Sequence, residues 1–576
     1  MRHRFPFFSR LRFGKQAVII SLAAVVVTVA LALMYVAYRQ PSPSCSGAFD
    51  IAIIGGEIID GLGGIPFKTD IGVRHQRIVC IGTIDAKQAH LVIDANGFVV
   101  APGFIDVHAH VERNLSSGSE PFVAPNFVRQ GVTTIITGNC GRSFLDLGKA
   151  FQRFEAHGSE VNVASFVGHN SIRHHVMSDR AGPPSAEQLI KMKALVAGAM
   201  NDGALGLSTG LEYIPGAFAS TEEIIDLAKV ARRSGGIYVS HLRSEASNGV
   251  AAINEALLIG SRAGVHVHIS HFKAQGPSQW GTARARLDLI EAARNEGVIV
   301  SLDQYPYAAS STGIGVLVPS WVSSGGTATL NERLQDPTTR AEIRKQMIEQ
   351  LKGSGWKDYS FARVAYYSFD RSFVGLSIPE ITRTHHVRAR RTNLVKAEFE
   401  SALSSSGESD LEQQADTILE LFSHGGAQMV FFNMSEEDVE AIMCYHDVMF
   451  GSDSSVREEV SDALPHPRGL GTFPRILGVY TRDKQILSLP EAVRRLTSLP
   501  AETFGLRERG RIKEGYYADL VVFDRNRIAD KATYDHPLRN PEGIHYVFIN
   551  GSMVLSGREF TKSSPGMVLR RKAEPK

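Results

Sequence analysis

Ala101-Pro-Gly-Phe-Ile-Asp-Val-His108-Ala-His110 is the stretch from which the fold is read. It follows a series of short alternating strands with glycine turns. It sets two histidines two residues apart, on one face of an extended chain. Three more regions end alike: Thr137-Gly-Asn-Cys140, the matching steps Val239-Ser-His241 and Ile269-Ser-His271, and Gly451-Ser-Asp453. Each closes an apolar or β-branched run and ends in imidazole, thiolate or carboxylate, the donors of a zinc-like ion. In a parallel barrel the ends of successive strands meet at one face, where catalytic residues collect. The expected ligands are therefore His108, His110, Cys140, His241, His271 and Asp453, and the expected class is a hydrolase.

Outward from that stretch, strand and helix patterns alternate. Val132 to Thr137, Asn162 to Val167, Ala204 to Ser208, Ile237 to Ser240, Val265 to Ser270, Val298 to Leu302 and Val448 to Phe450 read as strands. Ser185 to Met200, Thr221 to Ser234 and Ala283 to Glu296 read as helices between them. This rhythm predicts an α/β fold, a (β/α)8 TIM-like barrel over 105–504. It fails over 312–428, a charged, helix-rich stretch expected to form an insertion over the barrel mouth. The flanks, 49–104 and 505–570, carry short strands such as Phe49 to Ile54 and Ala518 to Phe523. They predict one small β-sandwich built from both ends of the chain.

The 576 residues are 43% hydrophobic and 21% charged, ordinary globular usage that supports a sizeable core. A net charge of +2 argues against nucleic acid as a partner. Residues 1–15 form a basic tail with Arg2, Arg4, Arg10, Arg12 and Lys15. Residues 16–38 are an uncharged apolar run from Ala17 to Tyr38. A spanning helix needs about 20 such residues, against about 7–15 for the core of a signal peptide. The expectation is a single-pass anchor in the lipid bilayer, with the N-terminus cytoplasmic and the catalytic domain on the extracytoplasmic, periplasmic side. A cleaved signal peptide is the alternative, and 39–48 read as a linker. Four cysteines make no disulfide scaffold. Cys45 fits a lipoprotein signal poorly, and Cys80 and Cys444 read as buried free thiols in apolar runs.

Each candidate has a plainer reading. His266-Val-His268 is a second such histidine pair, but it lies inside a strand and reads as structural. Asp453 could cap a helix. A single histidine among the 20 is more often a hydrogen-bonded core or surface residue, yet two in matching strand-end positions plus the pair at His108 make coincidence a poor account.

Jointly, several motifs resemble the amidohydrolase superfamily, and within it the D-aminoacylases. They are His108-Ala-His110, Gly138-Asn-Cys-Gly141, Gly203-Ala-Leu-Gly-Leu-Ser-Thr-Gly-Leu-Glu-Tyr213, Ser240-His-Leu-Arg-Ser-Glu245, Ser270-His-Phe-Lys273, Tyr305-Pro-Tyr307 and Gly451-Ser-Asp453. The likeness runs on through His466-Pro-Arg468, Gly471-Thr-Phe-Pro474, Thr497-Ser-Leu-Pro-Ala501 and Gly515 to Phe523, and spans roughly Phe49 to Arg570. It implies one or two zinc ions, with His108, His110 and Asp453 on one side and His241 and His271 on the other. Cys140 then stands where many amidohydrolases carry a carboxylated lysine.

The resemblance further implies hydrolysis of N-acyl-D-amino acids, with Asp453 as general base and then acid. It places the substrate carboxylate at Lys273, Tyr305, Ser311 and Arg468, cationic and hydroxyl donors suited to that anion. Glu212 and Arg243 fall in matching motifs without an assigned role. The rival readings are a cyclic amidase or D-residue dipeptidase of the same superfamily, and a non-catalytic binding protein tethered at the membrane.

Overall fold

The computed structural model describes residues 44–112, 120–391, 410–457 and 462–571. Eight parallel strands form its centre. They are β1 (Phe104–Asp106), β2 (Val132–Thr137), β3 (Asn162–Ser165 and Val167–Gly168), β4 (Gly206–Gly210), β5 (Ile237–His241), β6 (Val267–Ile269), β7 (Val300–Gln304) and β8 (Val448–Phe450). Every neighbouring pair from β1 to β8 is parallel. β3 is interrupted at Phe166, where it passes from one partner to the next. Past the ends of β8 and β1 the ring closes through a parallel bridge between Ala109 and Ser454. Strands buried on both faces read as continuous apolar runs, as Val132–Thr137 does, because helices cover the outside.

Local chemistry fixes those helices. Ala186–Asp202 starts at a reciprocal capping box between Ser185 and Gln188. Thr221–Arg233 is capped by Ser220, with Glu222 and Glu223 in its first turn and Arg232 and Arg233 in its last, matching the helix dipole. Its apolar face, with Ile224, Leu227, Ala228 and Ala231, is buried in the main core.

Both flanks meet in a β-sandwich. Val99–Pro102 pairs antiparallel with Leu520–Phe523, so Val100 faces Val522 across more than 400 residues of chain. Ile51, Ile58, Ile71, Ile78 and Val100 from the first flank pack against Leu520, Val522 and Phe548 from the second. Between β7 and β8 the chain leaves the barrel. There Ser310–Gly313, Gln428–Phe431 and Ala362–Tyr366 form a three-stranded antiparallel sheet. With helices such as Pro337–Gly353 and Asp410–Ser423 it encloses a separate core around Ile343, Met347, Ile418 and Met429.

Two expectations are corrected here. The run 16–38 lies outside the described residues, and among those described no helix is long and apolar enough to cross a membrane. The helix Ala186–Asp202 has 17 residues. At ~1.5 Å per residue it spans roughly 26 Å, short of a ~30 Å hydrocarbon core. It also carries Glu187, Lys191, Lys193 and Asp202. Within the described residues the fold class carries no transmembrane helix, and nothing there supports the expected bilayer contact or extracytoplasmic placement. Cysteine chemistry also differs from expectation. Cys80 is bonded to Cys45, with Cα atoms 6.1 Å apart, because the Ser44–Thr83 bridge brings the two segments side by side. Cys444 ends the helix Glu436–Cys444 with its thiol exposed.

Candidate metal centre

The six donors stand at or just past the C-terminal ends of five barrel strands: His108 and His110 after β1, Cys140 after β2, His241 at the last residue of β5, His271 after β6 and Asp453 after β8. Three of them, Cys140 (φ 51), His271 (φ 34) and Asp453 (φ 50), occupy the left-handed region that non-glycine residues avoid. Such conformations persist where surrounding structure over-determines them, and they cluster at functional sites. Part of the restraint is Asp106, fully buried, which accepts the backbone N–H of His108 at 3.1 Å and of Ser452 at 2.9 Å. Burial pushes its carboxyl up to about 6 despite those bonds. The β8 loop also approaches β1 closely, since a Cβ on Gly451 would stand 2.5 Å from the His108 Cβ. Gly451→Ala is expected to destabilise the fold by about 1–3 kcal/mol through this overlap, read by denaturant unfolding.

The donor atoms converge. Cys140 Sγ lies 3.3 Å from His108 Nε2, 3.6 Å from His241 Nδ1 and 3.5 Å from His271 Nε2. His241 Nδ1 and His271 Nε2 are 2.9 Å apart, and His110 Nε2 is 3.0 Å from Asp453 Oδ1. Three groups each bring their ligand atoms within 4.8 Å of one another: His108, His110 and Cys140; Cys140, His241 and His271; His108, His271 and Asp453. Cys140 belongs to two of them, so its sulfur is shared by two groups that could each hold a cation. Nitrogen, sulfur and carboxylate oxygen at such spacing fit zinc.

The outward ring nitrogens face carboxylates, which sequence reading missed. Glu212 Oε2 lies 2.9 Å from His241 Nε2. Glu245 Oε1 lies 3.0 Å from His271 Nδ1. Asp303 Oδ2 lies 3.6 Å from His108 Nδ1. Carboxylates in these positions orient ligating imidazoles and raise their basicity. Glu212 and Glu245 did stand inside the quoted motifs; Asp303, two residues before Tyr305, carried no signal.

The electrostatics of this cluster favour positive charge. Burial lowers the His110 imidazole, but Asp453 and Cys140 outweigh it and hold the ring at about 9. Burial likewise lowers His241, and the charge of Glu245 with the Cys140 contact raises it to about 10. Burial alone would raise the Cys140 thiol; the neighbouring His108 and the other imidazoles hold it well below its usual range. Protonated imidazoles here balance a thiolate and carboxylates, the same charge a divalent cation would balance.

Three of the four expected carboxylate-holding residues, Lys273, Tyr305 and Ser311, line a cleft with His241, His271 and Asp453. Lys273 Nζ donates to Glu245 Oε1 at 2.7 Å. Arg468 is not among the lining residues. It reaches the site from behind, pairing with Asp453 Oδ2 at 3.0 Å and donating to the Ser311 carbonyl at 3.1 Å. The Tyr305 ring lies under both cations, 5.4 Å from Lys273 Nζ and 4.8 Å from the Arg468 guanidinium carbon. The Ser311 hydroxyl donates to the Met429 carbonyl at 2.8 Å. Arg243 braces the mouth by binding Glu255 and the Ala217 and Ala219 carbonyls.

A closed parallel barrel whose C-terminal rim gathers imidazoles, a thiolate and a carboxylate beside a cleft belongs to the class of metal-dependent hydrolase barrels. The chain is a member of the amidohydrolase family, which matches residues 91–295 and 445–555, and within it stands with the D-aminoacylases. It is 36% identical to the D-aminoacylase of Alcaligenes xylosoxydans xylosoxydans, over 92% of this chain and 100% of that one. It is 34% identical to the N-acyl-D-glutamate deacylase of the same organism, over 91% of this chain and 97% of that one. The crystal structure of N-acyl-D-glutamate deacylase from Bordetella bronchiseptica, complexed with zinc and a phosphonate mimic of the tetrahedral intermediate, superposes with a TM-score of 0.72. That match covers 91% of this chain and 100% of the other at 33% identity.

Proposed function

We propose that this chain is a zinc-dependent deacylase that hydrolyses N-acyl-D-amino acids to a carboxylate and a free D-amino acid. The observation that carries this reading is the convergence of His108, His110, Cys140, His241, His271 and Asp453 within reach of one another, beside a cleft that also presents Lys273. These six residues would hold one or two zinc ions. A zinc ion there supplies Lewis acidity, making water nucleophilic near neutral pH and polarising the scissile carbonyl.

The protein's own groups account for the rest. Burial would raise the Asp453 carboxyl, but the Arg468 charge and the His110 contact hold it well below the usual range, so it is ionised near neutral pH. As general base Asp453 accepts a proton from the attacking water; as general acid it returns one to the amine nitrogen when the C–N bond breaks. Lys273, Tyr305 and Ser311 place a positive charge and hydroxyl groups where the carboxylate of the amino-acid half would lie, and Arg468 backs them through Asp453 and the Ser311 carbonyl. Glu212 and Glu245 keep the His241 and His271 imidazoles aimed inward.

The far wall of the cleft comes from the insertion and carries no charge: apolar Val316, Leu317, Leu351, Trp356, Phe361 and Phe431 stand beside neutral Thr312, Gln350, Ser354 and Tyr359. Among its lining residues Lys273 is the one lysine or arginine. Seating a second carboxylate against that wall would bury a charge without a partner. The zinc-loaded protein is therefore expected to deacylate N-acetyl-D-leucine or N-acetyl-D-phenylalanine with a kcat/KM at least roughly 10-fold above that for N-acetyl-D-glutamate, the scale of a missing pocket contact. Preference for the acidic substrate would refute the reading of the uncharged wall. Release of no amino acid from either would refute the deacylase.

A further inference from the structure

The interior of a parallel barrel is normally filled by layers of branched apolar side chains. Here β6 and β7 carry a polar column instead. His266 Nε2 lies 2.8 Å from Ser301 Oγ, Ser301 Oγ lies 2.9 Å from His268 Nδ1, and His268 Nε2 lies 2.7 Å from Asp303 Oδ2. His268 and Asp303 are each 1% exposed. Burying such groups costs several kcal/mol per ion unless partners compensate, and well-packed apolar residues often serve stability as well or better. The plain reading of His266 and His268 as core histidines leaves that cost without a purpose.

The upper end of the column supplies one. Asp303 Oδ2 faces His108 Nδ1 at 3.6 Å, and that ring nitrogen is buried without a hydrogen-bond partner. The other oxygen, Oδ1, accepts the backbone N–H of His271 at 2.9 Å, at a residue held in left-handed backbone. Asp303 does not line the cleft, so it has no contact with substrate to explain it.

We infer that Asp303 is a positioning residue for the metal centre and that His268 and Ser301 hold it in place. One oxygen, 3.6 Å from His108 Nδ1, favours the proton on that nitrogen by its charge, leaving the Nε2 lone pair aimed at the donor cluster. The other fixes the turn that presents His271. A single carboxylate thereby ties the ligands of β1 to those of β6. His268 donates to the same Oδ2 from below and stops the carboxylate rotating away. The inference rests on the proposed ligand roles of His108 and His271.

The test uses the full chain and two variants, Asp303→Asn and His268→Gln. Zinc affinity is measured by competition with a chromophoric chelator, and the visible spectrum of the cobalt-substituted protein reports ligand geometry. Asp303→Asn is expected to weaken zinc binding roughly 10–100-fold and to change the cobalt bands. His268→Gln, which keeps a donor towards Asp303, should move both readouts the same way by less. Unchanged affinity and cobalt spectrum in both variants would overturn the inference. If Asp303→Asn does not fold, His268→Gln decides by the same two readouts. Failure of the unsubstituted protein to take up either ion would overturn the metal centre itself, and this inference with it.

Discussion

Asp453→Asn lowers kcat by roughly 10²–10⁴-fold while zinc stays bound, the range that general acid–base catalysis contributes. Asparagine keeps the size of the side chain and an oxygen able to accept from Arg468, which pairs with Asp453 at 3.0 Å. It cannot take up the proton of water or return one to the leaving amine. Five other donors remain, among them Cys140 and two histidines within 3.6 Å of it, at the end of β5 and just past β6. Metal content by elemental analysis, measured with kcat on one sample, checks both halves of the expectation. A kcat within tenfold of the unsubstituted protein would remove Asp453 from the chemistry.

Cys140→Ala is expected to lower zinc occupancy and, with it, activity by at least roughly 10²-fold, because ligand loss disables a catalytic metal site. The sulfur touches imidazoles from three strands, so its removal opens both donor groups at once. The same charge balance gives zinc binding a pH dependence of definite sign. His110, near 9, and His241, near 10, hold their protons in the metal-free protein above the usual histidine range. A proton must leave each ring before it can coordinate, so affinity rises with pH up to about 10 and binding releases protons. Without the thiolate one raising influence on both rings is gone, and the dependence moves to lower pH. Calorimetry in buffers of different ionisation enthalpy counts the protons released. Zinc affinity independent of pH between 7 and about 10 would contradict this account of the cluster.

The barrel was legible because its strands announce themselves locally. Val132–Thr137 is a β-branched run ended by glycine, and Thr221–Arg233 carries its own cap and dipole charges. The donors after the strands were visible for the same reason, and the structure sets all six side by side. What lay beyond the sequence was pairing at long range. Ser310–Gly313 joins Gln428–Phe431 across more than 100 residues, so the insertion read as helical and its sheet went unseen. Cys45 and Cys80 meet only through the Ser44–Thr83 bridge. Asp303 is one carboxylate among many until the fold turns it towards His108. The apolar run 16–38 read as an anchor on length alone, and no helix among the described residues crosses a membrane.

The central claim is that this cluster binds zinc in order to free D-amino acids. Its most direct test offers racemic N-acetyl-leucine to the protein before chelation, after chelation and after zinc is restored, with chiral detection of the released amine. The account predicts D-leucine alone, absent from the chelated sample and recovered with zinc. Release of L-leucine, or release that survives chelation, would contradict it.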